Sequence, residues 1–102
     1  MTGFPRGTTP TLKFKLPFGA NLLKTILITI SQKGYSLINK ENADITSTDD
    51  TLTVTLTQDE TLTLMPGEIA VQIRAVTTGG KAIASTIMTA DVAEILKGGV
   101  LE

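Results

Sequence analysis

Hydrophobic and polar residues alternate along this chain in short runs, a pattern typical of half-buried β-strands. The longest run lies within residues 67–92, where Ile69, Val71 and Ile73 alternate with small or polar residues. Gly79-Gly80 lies in the middle of this segment, and glycine adopts positive φ without steric cost, so the pair favours a primed hairpin turn. We therefore predict one long β-hairpin over residues 67–92. Because a hairpin alone is not stable in water, the other strands must cover its apolar face.

Further alternating segments precede the hairpin, and turn-forming residues separate them. They predict strands at residues 11–16, 25–32, 35–40, 44–47 and 51–56. Thr57 and Glu60 have the spacing of a capping box, which predicts one short helical turn at residues 57–61. Leu27 faces away from the inward isoleucines of its strand, which indicates partial cover on the outer side of the sheet.

The strand pattern predicts the fold class. About seven short strands, turns roughly every 8–12 residues and no long helix are typical of an all-β, immunoglobulin-like antiparallel β-sandwich. A small closed barrel is the alternative architecture. The 102 residues fit a single domain over 1–102, with loosely ordered termini at 1–7 and 97–102. The predicted core positions are Leu12, Phe14, Ile26, Ile28, Ile30, Leu52, Val54, Leu56, Ile69, Val71 and Ile73.

Composition excludes several kinds of chemistry. The chain has no cysteine and no histidine, which removes disulfides, thiolate catalysis and the commonest general base and metal ligand. The net charge of −1 provides no bulk attraction to nucleic acid or to an anionic membrane, so we expect neither partner. We also expect no signal peptide and no transmembrane segment, since no apolar run approaches about 20 residues.

Two groups of carboxylates suggest chemistry, and a simpler interpretation suits each of them better. Asp44, Asp49 and Asp50 do not have the spacing of a calcium-binding EF-hand loop, and aspartate is common in turns. Asp59 and Glu60 are adjacent, so on a helix they point apart and favour capping over paired acid–base catalysis. No spacing indicates a Ser–Lys or carboxylate site, so we expect a non-enzymatic protein without cofactor or metal.

Two surfaces are candidate interaction sites. Lys13 and Lys15 point outward from the first predicted strand, where lysines typically protect a sheet edge or form a solvated face. Gln72 and Arg74 lie on the outward face of the long hairpin, and arginine is enriched at binding hot spots. Strand edges could also accept a partner strand by β-augmentation. An ordinary solvated β surface is the alternative interpretation of all these features.

Five segments resemble a family of small phage and prophage proteins of Gram-positive bacteria that are encoded among tail genes. They are RGTTPTLKFKLP (6–17), ITISQKG (28–34), LTQDETL (56–62), VQIRA (71–75) and TGGKAIAS (78–85). Their order is also similar to that in the N-terminal sandwich domain of phage upper baseplate proteins. The resemblance implies a place in the virion tail or baseplate, or in the host cytoplasm during assembly. It implies other tail or baseplate proteins, or a second copy, as partners, and it carries no active-site residues.

We therefore expect a structural or assembly protein of a phage tail or baseplate that acts through protein–protein contacts. The alternative is an immunoglobulin-like module that binds a glycan on the host surface. Sugar sites usually stack rings on aromatic side chains. This chain offers only Phe4, Phe14, Phe18 and Tyr35, and Phe14 is predicted to be in the core.

Overall fold

The computed structural model describes residues 3–101 and arranges them in two β-sheets. The strands are β1 (Phe4–Pro5), β2 (Thr11–Lys15), β3 (Leu23–Gln32), β4 (Tyr35–Glu41), β5 (Ile45–Thr48), β6 (Thr51–Thr55), β7 (Gly67–Thr77), β8 (Ala82–Ala84) and β9 (Met88–Ala93). One α-helix, α1 (Gln58–Leu62), and 3₁₀ turns at Ala20–Leu22 and Asn42–Asp44 complete the elements.

The strand order assigns the fold. The large sheet has the order β1-β9-β7-β3-β4, with β8 also paired to β7, and the small sheet has the order β2-β6-β5. Read as immunoglobulin strands, β2-β6-β5 is B-E-D and β9-β7-β3-β4 is G-F-C-C′. The predicted immunoglobulin-like β-sandwich is therefore confirmed. Within residues 3–101 no strand pairs across the two sheets, so the barrel alternative is wrong.

The predicted loose start of the chain is wrong for the residues that the structure describes there. β1 pairs in parallel with β9, with Phe4 opposite Val92, and the Phe4 side chain is buried. Next to it, the Arg6 guanidinium donates to the carbonyls of Leu62 (2.9 Å) and Leu64 (2.6 Å). A two-residue strand is too short to show any alternation, which is why the sequence pattern missed it. Met1 and Thr2 lie outside the described residues.

The other predicted loose terminus has no regular structure but is attached to the domain. Residues 97–101 contain no helix or strand. The Gln58 side chain nevertheless donates to the Leu101 carbonyl (3.0 Å) and accepts from the Leu101 amide (2.9 Å). Glu102 lies outside the described residues.

The core lies between the two sheets and contains all eleven predicted positions. The alternation therefore assigned the inward face of β2, β3, β6 and β7 correctly. The structure adds six residues to this cluster: Phe4, Ala20, Ile38, Leu64, Ala90 and Val92. Full burial of a large aliphatic or aromatic side chain contributes about 1.5–3 kcal/mol, so this cluster is the main source of stability.

The predicted helical turn is confirmed, together with its cap. Thr57 Oγ1 accepts from the Glu60 amide (3.2 Å), and Glu60 Oε1 accepts from the Thr57 amide (2.8 Å). This reciprocal pair satisfies amides that the first turn of a helix leaves without a partner. It fixes Glu60 at the end of the sandwich where β6 passes to β7.

The long hairpin is confirmed, but its turn differs from the predicted one. Of the two glycines, Gly80 has a positive φ of 87°, while Gly79 is not in that region. The Gly80 amide donates to the Thr77 carbonyl (2.9 Å), and the Thr77 amide donates to the Lys81 carbonyl (2.8 Å). This is a three-residue loop that ends in a left-handed glycine, which is the next most common hairpin type after the primed two-residue turns.

Candidate functional site

The outer face of the large sheet brings together the side chains most suited to contact another molecule. We call it the large-sheet face. It consists of the outward residues of β3, β4 and β7: Thr25, Leu27, Thr29, Ser31, Asn39, Glu41, Ala70, Gln72, Arg74 and Val76. The predicted pair Gln72 and Arg74 lies on it. Its residues line up in rows across the strands, because the register pairs each of Leu27, Thr29 and Ser31 with one residue of β4 and one residue of β7.

The central row is Glu41–Leu27–Arg74. Leu27 on β3 lies opposite Glu41 on β4 and opposite Arg74 on β7. Leu27 is half-buried, and the two charged residues are exposed. Neighbouring strands are about 4.8 Å apart, so the two charges are separated by roughly 10 Å of sheet. Within residues 3–101 the ion pair at contact distance is Lys40–Glu60, so Arg74 and Glu41 do not pair with each other in one chain.

Two shallow grooves run along Leu27. One, of about 380 Å³, is lined by Arg74 and by the residues of β8, including the small Ala82 and Ala84. The other, of about 370 Å³, is lined by Glu41 and the 3₁₀ turn that follows it. Leu27 borders both grooves, so it forms an apolar ridge between a cationic and an anionic depression.

The two predicted hairpin residues, Gln72 and Arg74, have different roles in the structure. Gln72 is half-buried, and its Nε2 donates to the Ser85 carbonyl (3.0 Å). Ser85 Oγ in turn accepts from the Ile73 amide (3.0 Å). Gln72 is therefore part of the hairpin's own bonding, while the exposed Arg74 is available to another molecule.

These bonds hold a β-bulge in the second arm of the hairpin. The register changes between the pairs Arg74–Ala84 and Val71–Met88, so residues 85–87 oppose only two residues of β7. In the bulge, the Ser85 hydroxyl accepts the amide hydrogen of Ile73 in place of a carbonyl from the partner strand. Ile87 is exposed beside this bulge.

The second predicted surface, Lys13 and Lys15, lies on the outer face of the small sheet. Both side chains are exposed, and β2 pairs with β6 alone among the described strands, so the predicted edge position is confirmed. Lys13 lies opposite Thr53 and Lys15 opposite Thr51. The rest of this face is also threonine: Thr11, Thr46, Thr48 and Thr55. It is a hydroxyl-rich surface with two cations along one side.

The described strand edges do not favour the predicted strand addition. β4 has a bulge at Leu37, where the pair Ile30–Ile38 is followed by Ser31–Ser36, and it directs the charged Lys40 inward. β2 has its two lysines, and the second arm of the hairpin has the bulge at residues 85–87. The other edge strands among the described residues, β1 and β5, are only two and four residues long. Outward lysines, inward charges, bulges and very short edge strands are the usual protections against edge pairing. The sheet faces are therefore the better interaction surfaces.

Glu60, Asp44 and Asp49 have structural roles in the described part of the chain. Burial of Glu60 would raise its pKa, but hydrogen bonds from Lys40 and Thr57 and the charge of Lys40 outweigh burial and lower the pKa below its ordinary value of 4.5. Asp44 Oδ2 accepts from the Glu41 amide (3.4 Å), and Asp49 adopts a positive φ of 50° in its turn. No three acidic residues within 3–101 are placed to hold a metal ion together.

Comparisons with known proteins add one distant likeness. The chain matches no protein-family model and no curated protein sequence. Among solved structures it is similar to the V domain of amphioxus IgVJ-C2, with 16% identity over 90% of this chain and 98% of that chain and a TM-score of 0.37. A likeness at this level adds nothing to the strand order, which assigns the fold without it. None of the helices in residues 3–101 has the length and apolar character needed to cross a bilayer.

Proposed function

We propose that this protein is a non-enzymatic structural or assembly component of a phage or prophage tail or baseplate, acting through protein–protein contacts. The observation that carries the contact role is the row Glu41–Leu27–Arg74 on the large-sheet face. It places a half-buried apolar side chain between two exposed charges and beside two shallow grooves. Protein interfaces commonly have this arrangement of an apolar centre and a polar rim, with arginine enriched.

The sequence resemblance supports the tail setting. Its five segments fall on β2, on the end of β3, on the capped helix α1, on β7 and on the hairpin tip with β8. These are the elements that build and close the sandwich. The resemblance therefore concerns structural elements, which suits a component that acts through protein–protein contacts.

Mass spectrometry of purified particles after prophage induction tests the setting, combined with photo-cross-linking in induced cells. A photoreactive residue replaces Arg74, and a matched control replaces Asp59, an exposed residue on α1. We expect the chain at a fixed copy number in particles, or cross-links from position 74 to a tail protein during assembly, with fewer from position 59. Absence from particles together with no cross-link to any tail protein would refute the proposal.

One exposed aromatic side chain favours the alternative function, glycan binding. Tyr35 is 73% exposed at the start of β4, and a flat aromatic ring can stack on a sugar. If the alternative holds, a glycan array gives specific hits that Tyr35→Ala removes. An array without hits excludes it and leaves the protein-contact role unaffected.

A further inference from the structure

We propose that a second copy of this chain covers the large-sheet face, related to the first by a two-fold axis that lies in the interface and runs along β3. This inference deepens the proposed function, because it names the partner of that face. It rests on the charges of the central row and on the position of Leu27 between them.

The central row is complementary to itself under this symmetry. β3 lies between β4 and β7, so a two-fold rotation about an axis along β3 exchanges the β4 side with the β7 side. Arg74 of one copy then faces the partner's Glu41, and Glu41 faces the partner's Arg74. One rotation forms two ion pairs from charges that have no mutual contact within a chain, since the register keeps them one strand apart on either side of Leu27.

The uncharged positions fit the same axis. Leu27 meets the partner's Leu27, which completes the burial of a side chain that a single chain leaves half-buried. In the next row, Thr29 lies between Asn39 and Gln72, so Asn39 faces the partner's Gln72. Gln72 Nε2 donates to the Ser85 carbonyl. Gln72 Oε1 can therefore accept a hydrogen bond from the amide group of the partner's Asn39.

The contact area between the two copies determines the affinity that we expect for the dimer. The overlap about β3 is three strands wide and about seven residues long, or roughly 14 by 23 Å. This is below the roughly 800 Å² per partner of a standard stable interface. We therefore expect a weak dimer that forms with rising concentration and dissociates with rising salt, because its ion pairs are partly exposed.

Sedimentation equilibrium from about 1 μM to about 1 mM tests the dimer. The single variants R74E and E41R each place like charges in both contacts, so each should weaken dimerisation by about tenfold or more. An equimolar mixture of the two variants restores both ion pairs between unlike chains and should dimerise as the original chain does. The doubly exchanged variant R74E/E41R should dimerise with itself for the same reason.

The control K13E changes the net charge by the same amount as R74E but lies on the small sheet, and it should leave dimerisation unchanged. Thermal melting verifies that each variant is folded. A second set of variants introduces no new charge. R74Q, E41Q and the double variant R74Q/E41Q each remove both ion pairs of the dimer, so all three should dimerise with the same reduced affinity. This set decides the question if E41R fails to fold.

A chain that stays monomeric at every concentration overturns the inference, as do single exchanges that dimerise unchanged or a mixture that fails to restore the dimer. The results that refute the dimer are different from those that refute the proposed function. A monomer that cross-links from position 74 to another tail protein refutes the two-fold dimer alone. A charge-dependent dimer that is absent from particles and assembly intermediates refutes the tail setting alone.

Discussion

Lys40 Nζ lies 2.8 Å from Glu60 Oε1 and joins the edge strand of the large sheet to the capped helix α1. The same Glu60 oxygen accepts from the Thr57 amide, so one atom serves both the ion pair and the helix cap. Lys40 is 8% exposed, which is unusual for lysine and requires a partner for its charge. The pair therefore connects two elements that are distant in sequence.

We predict that Glu60→Gln destabilises the domain by about 1–3 kcal/mol, because it leaves the buried Lys40 ammonium without its counter-charge. The measurement is urea unfolding, with the change in midpoint converted to free energy. Asp59→Asn is the matched control, since Asp59 is exposed on the same helix, and it should change stability by less than about 0.5 kcal/mol. Equal effects of the two variants would refute a special role for Glu60.

The lowered pKa of Glu60 predicts a pH dependence of stability. The carboxylate is favoured in the folded state, so its contribution is fully present above the unfolded-state pKa and is lost as pH falls through the lower folded-state pKa. Urea unfolding at a series of pH values should therefore show a loss of stability beginning near 4.5 and continuing below it. In Glu60→Gln this part of the acid dependence should be missing. A variant with the original acid profile would contradict the assignment.

The hairpin turn predicts opposite behaviour for two adjacent glycines. Gly80 has a φ of 87°, so Gly80→Ala forces an L-residue into the left-handed region and should cost about 1 kcal/mol or more. Gly79→Ala is the control, because that residue lacks a positive φ and the nearest atom to an added Cβ is Thr77 Oγ1 at 3.8 Å. Thermal melting of the two variants checks the difference. A larger loss for Gly79→Ala would restore the primed turn that the sequence pattern favoured.

The bulge predicts that Ser85→Ala destabilises the hairpin. The variant removes the hydroxyl that accepts from the Ile73 amide, and a buried amide without a partner costs about 1–3 kcal/mol. Thr86→Ala should be near neutral, since Thr86 is exposed and contributes only its backbone carbonyl to the bulge. Amide hydrogen exchange at Ile73 gives the most direct readout. Unchanged protection in Ser85→Ala would show that another group accepts this hydrogen.

The sequence predicted well the features that depend on residues close together in the chain. Alternation identified the inward faces of β2, β3, β6 and β7, because a shift of one residue would expose a whole row of isoleucine and leucine side chains. The Thr57 and Glu60 spacing identified the helix cap, because both partners lie within one turn.

The features that the sequence missed depend on distant partners. Phe4 is buried only because β9 returns beside it, and nothing near Phe4 in the chain indicates that strand. Lys40 points inward only because Glu60 is there to meet it. The sequence showed that Leu27 is an outward apolar residue. It did not show that Glu41 lies opposite Leu27, because that depends on the register of β3 and β4. Alternation also cannot show the bulges, since each depends on the register of two paired strands.

The protected edges limit how this protein can build larger objects. A sheet edge can be extended without end, because each added strand exposes a new edge, whereas a contact made by a two-fold face is used up once it forms. β2 has lysines, β4 has an inward charge and a bulge, a second bulge lies between β8 and β9, and the edge strands β1 and β5 are very short, so open-ended growth into fibres is disfavoured. We therefore expect the assemblies that this chain forms to be closed complexes with a fixed number of copies.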